Sequence, residues 1–218
     1  MNGISPWQAG AASELADNAL PVLFEKSIGD HRFKIKFSPS SLYICCEWKG
    51  GSIAFRPTYS PAHDLKIKRN TANQDGMTIS ISSAMGDINA EITIIQTEYP
   101  ILKYTTTLTP RSDTHIPFWP RDIIFPDNKS RKKPAGTVHV SQVGNRSGII
   151  HFSLEKENRG SVLYYQNLGS LRQYNQDTQT SAGETVGGLW PEIGLALPPT
   201  KDYPLNKGNK YILSDAII

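Results

Sequence analysis

From residue 31 onward, apolar and polar side chains alternate along the chain. Phe33, Ile35 and Phe37 are interleaved with Arg32, Lys34 and Lys36, and Leu42, Ile44, Cys46 and Trp48 with Tyr43, Cys45 and Glu47. The same alternation runs through Leu65–Ile67, Met77–Ile81, Ala90–Ile94 and Leu102–Leu108. It continues through Val138–Val140, Ile150–Leu154, Val162–Tyr164 and a last run over Lys210–Ile218. Side chains of a strand point to opposite faces in turn, so each run predicts a strand with one buried face. Together they predict about eleven or twelve strands, separated by turn signals at the spacing of antiparallel sandwiches. In this phase Tyr164 lies on the buried side and continues the alternation begun at Val162.

Gly50-Gly51, just after Trp48-Lys49, predicts a tight hairpin into Ile53–Phe55. No strand–helix–strand rhythm appears, which argues against a parallel sheet, and no fixed repeat argues for a propeller or solenoid. Pro6, followed by small and acidic residues up to Leu20, predicts one short helix within residues 5–20, and no other segment reads as helical. Residues 110–136 and 175–208 break the pattern and read as long irregular segments, of the kind that carry function or pack on a neighbour. The predicted fold is an all-β, large antiparallel sandwich over 31–218, preceded by an N-terminal extension over 1–30.

A chain of 218 residues can bury a sizeable core as one domain, and its 20% charged and 38% hydrophobic content is that of a soluble globular protein. The formal net charge of +3 is too small to argue for nucleic acid. Lys34, Lys36, Lys66 and Lys68 sit at alternate positions and read as solvated strand faces, which also discourage sheet-to-sheet association. No stretch is long and apolar enough for a transmembrane helix. Residues 1–20 lack the basic start and apolar centre of a signal peptide. An exported protein would have lost its signal, which would place it in the periplasm or outside the cell. The chain stops on the apolar run Ser214–Ile218, as if inside or just after a strand, so the expectation is one module of a longer protein.

The two cysteines, Cys45 and Cys46, are adjacent, should point to opposite faces and should not pair. The five histidines show no metal-ligand spacing, and no metal or cofactor is expected. Gly144-Asn145-Arg146-Ser147-Gly148 places its serine one position too late for a nucleophile elbow, and no phosphate-cradling or dinucleotide loop occurs.

The densest chemistry lies in residues 160–199. Tyr164-Tyr165-Gln166-Asn167 and Gly187-Gly188-Leu189-Trp190-Pro191-Glu192 place aromatic, amide and carboxylate groups beside glycines and a proline. Sugars offer a flat apolar face to an aromatic ring and hydroxyls to amides and carboxylates. Trp190, Glu192, Tyr165 and Asn167 are therefore candidate carbohydrate contacts, and core or interdomain packing is the competing reading. Pro117–Asp122 adds Trp119 and Arg121, where Arg121 beside Asp122 can grip a hydroxyl pair. The blander reading, which ranks ahead, is a proline-rigid crossover at the sandwich end with Arg121 paired to Asp122. Hydrolysis of a glycosidic bond needs two facing carboxylates. Asp177, Glu184 and Glu192 share the C-terminal loop region, but their spacing does not make any two face each other, so no catalytic residue is assigned.

Glu98-Tyr99-Pro100-Ile101-Leu102-Lys103-Tyr104, followed by a Thr-rich strand, resembles a strand of the large supersandwich that precedes the catalytic barrel of many glycoside hydrolases and phosphorylases. The Tyr164–Asn167 segment and the Gly-Gly-Leu-Trp-Pro-Glu segment resemble the end of such a module. The barrel behind it is often a six-hairpin α/α toroid, and the family's catalytic acids lie there. The resemblance implies a non-catalytic N-terminal module that packs on the catalytic domain of the same protein and lends a loop to a carbohydrate site. Its rivals are a free-standing, lectin-like carbohydrate-binding module and a protein-interaction or adhesion sandwich.

Overall fold

The computed structural model describes residues 10–16, 19–49, 51–116, 118–126, 138–143, 148–154, 158–180, 185–189, 191–197, 199–200 and 202–218. The fold is a large antiparallel β-sandwich. Among the described residues, fifteen strands fall into a seven-stranded sheet, ordered β1-β2-β3-β4-β9-β14-β13, and an eight-stranded sheet, ordered β10-β11-β12-β15-β8-β7-β6-β5. The first sheet holds β1 (Val22–Ile28), β2 (His31–Phe37), β3 (Ser41–Trp48), β4 (Gly51–Tyr59), β9 (Trp119–Ile124), β13 (Thr185–Leu189) and β14 (Glu192–Leu197). The second holds β5 (Lys66–Ala72), β6 (Gly76–Ser82), β7 (Gly86–Ile95), β8 (Ile101–Pro110), β10 (Val138–Val143), β11 (Ile149–Leu154), β12 (Arg159–Tyr165) and β15 (Tyr211–Ile217).

The core between the sheets joins Phe33, Ile35, Ile44 and Phe55 from the first to Ile79, Ile81, Tyr104, Phe152 and Leu163 from the second. Alternation works as expected in β6 and β7, where Met77, Ile79, Ile81, Ile88, Ala90, Ile92 and Ile94 are all buried. In β3 it does not, because both faces are buried. The cause is helix α1 (Ala11–Ala16), which lies on the outer face of the seven-stranded sheet. Ala11, Ala12 and Leu15 cover Tyr43, Cys45, Ala54 and Ile124 there in a second, smaller core. Cys46 faces the main core and Cys45 this smaller one, and neither is in a disulfide.

The structure corrects the sequence reading at several points. Within the expected extension over 1–30, the described residues belong to the sandwich, because β1 pairs with β2 and α1 packs on the same sheet. Two further short helices occur, α2 (Asn167–Ser170) and α3 (Arg172–Thr178). Residues 175–208 hold a β13–β14 hairpin, with Gly187 opposite Gly194, rather than continuous loop. Trp119–Ile124 is the inner strand β9, paired with both β4 and β14, rather than a crossover. The phase of β12 is also opposite to that expected: Leu163 and Tyr165 are buried, whereas Val162 and Tyr164 are exposed.

Candidate functional site

The sequence candidates fall on the central strands of the seven-stranded sheet and on the β12–α2 junction. Trp119 and Arg121 lie on the inner face of β9, and both are buried. The Arg121 guanidinium sits 4.5 Å above the Tyr165 ring, and burial lowers its pKa to about 10. Tyr165 is buried as well, and its hydroxyl is 3.0 Å from that of Tyr104. These three side chains form an aromatic–guanidinium core between the sheets and present no surface to a sugar. Asn167 starts α2, and its side chain lies outside the described residues, as does the whole of Trp190.

Asp122 points to the opposite face of β9 from Arg121, as adjacent strand residues must. Its partner is Arg56 on β4: Arg56 Nε donates to Asp122 Oδ1 at 3.0 Å, and Nη2 donates to Oδ2. The expected Arg121–Asp122 pair is therefore replaced by a cross-strand pair. Glu192 joins this group, with Oε2 3.7 Å from Arg56 Nη2, and the side chains of Arg56, Asp122 and Glu192 are wholly buried. The other carboxylate oxygen of Glu192 accepts the Ala12 backbone N–H at 3.1 Å. Glu192 thus satisfies an otherwise open donor in the first turn of α1. Glu14, from the same helix, accepts hydrogen bonds from the Tyr43 hydroxyl and from Ser40 Oγ, the latter at 2.8 Å. The Trp-Pro-Glu segment therefore ends in a structural carboxylate that holds α1 to the sheet.

Asp177 is likewise engaged. It accepts hydrogen bonds from the Tyr211 hydroxyl (2.5 Å), Asn206 (3.1 Å), Asn209 (3.3 Å) and Gln173 (2.8 Å), and these hold its carboxyl below the usual range. Glu184 lies outside the described residues. The basic strand faces carry partners too, with Lys34 2.6 Å from Glu47 and Lys68 2.6 Å from Asp87.

A different region has the geometry of a ligand site. A cavity of about 750 Å³ opens at one end of the sandwich, between the two sheets. Four connections meet there: the β1–β2 turn, the β3–β4 end, the β7–β8 connection and the start of β12. The floor is core: Phe33, Ile53, Phe55, Leu102, Phe152 and Leu154. The mouth carries Asp30, His31, Trp48, Gln96, Glu98, Tyr99, Asn158 and Arg159. Tyr99 is 79% exposed, so its ring is free to meet a partner molecule.

Arg159 ties the two sheets together across this mouth. Its Nη1 donates to His31 Nε2 at 2.8 Å, and its Nη2 donates to Asp30. Since Nε2 accepts, Nδ1 is the ring N–H, and it faces Asp30 Oδ1 at 2.9 Å. The guanidinium also lies 5.3 Å from the centre of the Trp48 ring. Arg159 holds the Asp30 carboxyl below the ordinary carboxylate range. Cys46 lines the cavity, and burial pushes its thiol up to about 12, so it stays protonated and acts as an apolar wall.

The sequence reading singled out Glu98-Tyr99-Pro100 as a family-like segment but assigned no site residue to it. The missed signal was the meeting of four distant turns, which no local pattern carries. Among the described residues, no group of His, Cys, Asp or Glu can hold a metal ion, and no helix is long and apolar enough to cross a membrane. Compared with protein-family models, curated proteins and solved structures, the chain has no match.

Proposed function

We propose that this chain is a non-catalytic β-sandwich module of a glycoside hydrolase, supporting a catalytic domain and holding part of a carbohydrate ligand at the open end of the sandwich. The observation that carries this reading is the cavity between the sheets. It has the volume of a small-molecule site, and its mouth sets Trp48 and Tyr99 beside carboxylate, amide and guanidinium groups. Those residue types match a sugar's apolar face and its hydroxyls. The non-catalytic part is supported by the work of the C-terminal acids. Glu192 holds α1, and Asp177 is enclosed by four hydrogen-bond donors. Support of a second domain is favoured by the apolar group Val162, Tyr164 and Leu168, exposed on β12 and α2.

The test is a calorimetric screen of the protein against oligosaccharides of different linkage. At least one should bind in the millimolar-to-micromolar range, with no release of reducing ends. Trp48→Ala should weaken binding about tenfold or more, as expected when a large apolar side chain whose burial is worth about 1.5–3 kcal/mol is removed from the contact. Glu192→Gln should leave it unchanged. Absence of binding to every sugar, or binding indifferent to Trp48 and Tyr99, would overturn the carbohydrate part of the proposal. A free-standing lectin-like module is the second reading, favoured by the same cavity. It predicts full sugar affinity with no contribution from a catalytic domain.

A further inference from the structure

We infer that the cavity selects an uncharged amphiphilic glycoside, with an apolar aglycone against the floor and the sugar at the mouth. This rests on the carbohydrate reading above and adds the chemistry of the group that enters first. The floor is built of aromatic and aliphatic side chains, with Cys46 as a protonated thiol among them. A hydroxyl pushed against that wall would leave water and find no partner, which costs about 1–3 kcal/mol for each unsatisfied group. An alkyl or aryl group meets the same wall at a gain that grows with its buried area. The deep end of the cavity therefore discriminates against a bare sugar.

The mouth decides the head group. Arg159, the cation among the described lining residues, already holds Asp30 and His31 and lies over Trp48. An anionic head would have to break that arrangement, and it would also face Glu98. A cationic head would be drawn to Glu98 but would also compete with Arg159 for Asp30 and loosen the contact that ties the two sheets. A neutral head rich in hydroxyls can instead add hydrogen bonds to Gln96, Glu98 and Asn158 and leave the Asp30–Arg159 pair in place. Shape, floor and mouth thus agree on a neutral polar head joined to an apolar body.

Isothermal calorimetry with three probes tests this: n-octyl β-D-glucopyranoside below its micelle-forming concentration, D-glucose and sodium octanoate. The expected order is octyl glucoside first, at least tenfold tighter than either of the others. Ile218→Lys puts a charge on a half-buried lining position and should weaken octyl glucoside more than tenfold. Trp48→Ala, at the mouth, should weaken it severalfold and serves as the second variant if Ile218→Lys does not fold. Equal affinity for octyl glucoside and glucose would overturn the inference while leaving the sugar reading standing. Octanoate as tight as octyl glucoside would overturn the neutral-head assignment. No binding of octyl glucoside would overturn the inference outright, and the oligosaccharide screen then decides the sugar reading separately.

Discussion

Asp122 is held by Arg56, the side chain across from it on the neighbouring strand, and not by Arg121 beside it in the chain. Both members of the pair are fully buried, on the outer face of the seven-stranded sheet under α1. The pair is a two-contact fork, the geometry in which a guanidinium best matches a carboxylate. Removing one partner strands a charge in the interior, which typically costs about 3–5 kcal/mol. Arg56→Met and Asp122→Leu should each lower stability by about that amount in chemical denaturation. The double variant should lose less than the sum of the two. Additive losses would mean that the two residues act independently.

Glu192 fixes the N-terminal helix to strand β14 through the Ala12 N–H. Glu192→Ala should release α1, with faster hydrogen exchange at residues 12–16 and a loss of about 1–2 kcal/mol, the range of an N-terminal helix-capping contact. Glu192→Gln keeps an acceptor oxygen and should protect α1 better than the alanine variant. Unchanged exchange in Glu192→Ala would show that the helix is held by Leu15 and Glu14 instead.

Gly194 lies where β14 passes close to β9. A Cβ there would come within 2.6 Å of the Arg121 carbonyl oxygen and 2.8 Å of Asp122 Cα, both backbone atoms that cannot swing away. Gly194→Ala should therefore push the two strands apart and destabilise the protein by about 1–3 kcal/mol, the usual cost of overpacking. A thermal melt at wild-type temperature would refute the close approach.

The Asp30–Arg159 contact sets a pH dependence. Hydrogen bonding to Arg159 lowers the folded-state pKa of Asp30 below its unfolded value, which is near 3.9. Its contribution to stability is therefore complete above that unfolded value and is lost as pH falls through the lowered folded pKa. Asp30→Asn should melt below the wild type at pH 7, and the difference should shrink as pH falls below the unfolded value near 3.9. A difference in melting temperature that stays constant as the solution is acidified below that value would contradict the assignment.

Much of the fold could be read from the alternation of apolar residues, because strands such as β6 and β7 have one wet and one dry face. The reading failed where that condition failed. In β12, Val162, Leu163, Tyr164 and Tyr165 are consecutive apolar or aromatic residues, so alternation cannot choose a phase, and a one-residue slip exchanges the faces. That slip put Tyr165 forward as a ligand contact and hid the exposure of Tyr164. In β9 and β14, arginine, aspartate and glutamate occupy wholly buried positions, so their polarity mimics the composition of a loop. Their burial depends on Arg56, more than sixty positions before Asp122, and on a helix at the other end of the chain. The cavity was illegible for the same reason: Asp30, Trp48, Tyr99 and Arg159 converge only after both sheets have formed.

Recognition at the open end of the sandwich, with a structural Glu192 segment, can be checked by backbone amide chemical-shift mapping during titration with octyl β-D-glucopyranoside. Shifts should saturate and cluster at residues 28–33, 96–102 and 158–161, with β13 and β14 silent. Shifts centred on residues 187–194 with a silent cavity end would contradict it.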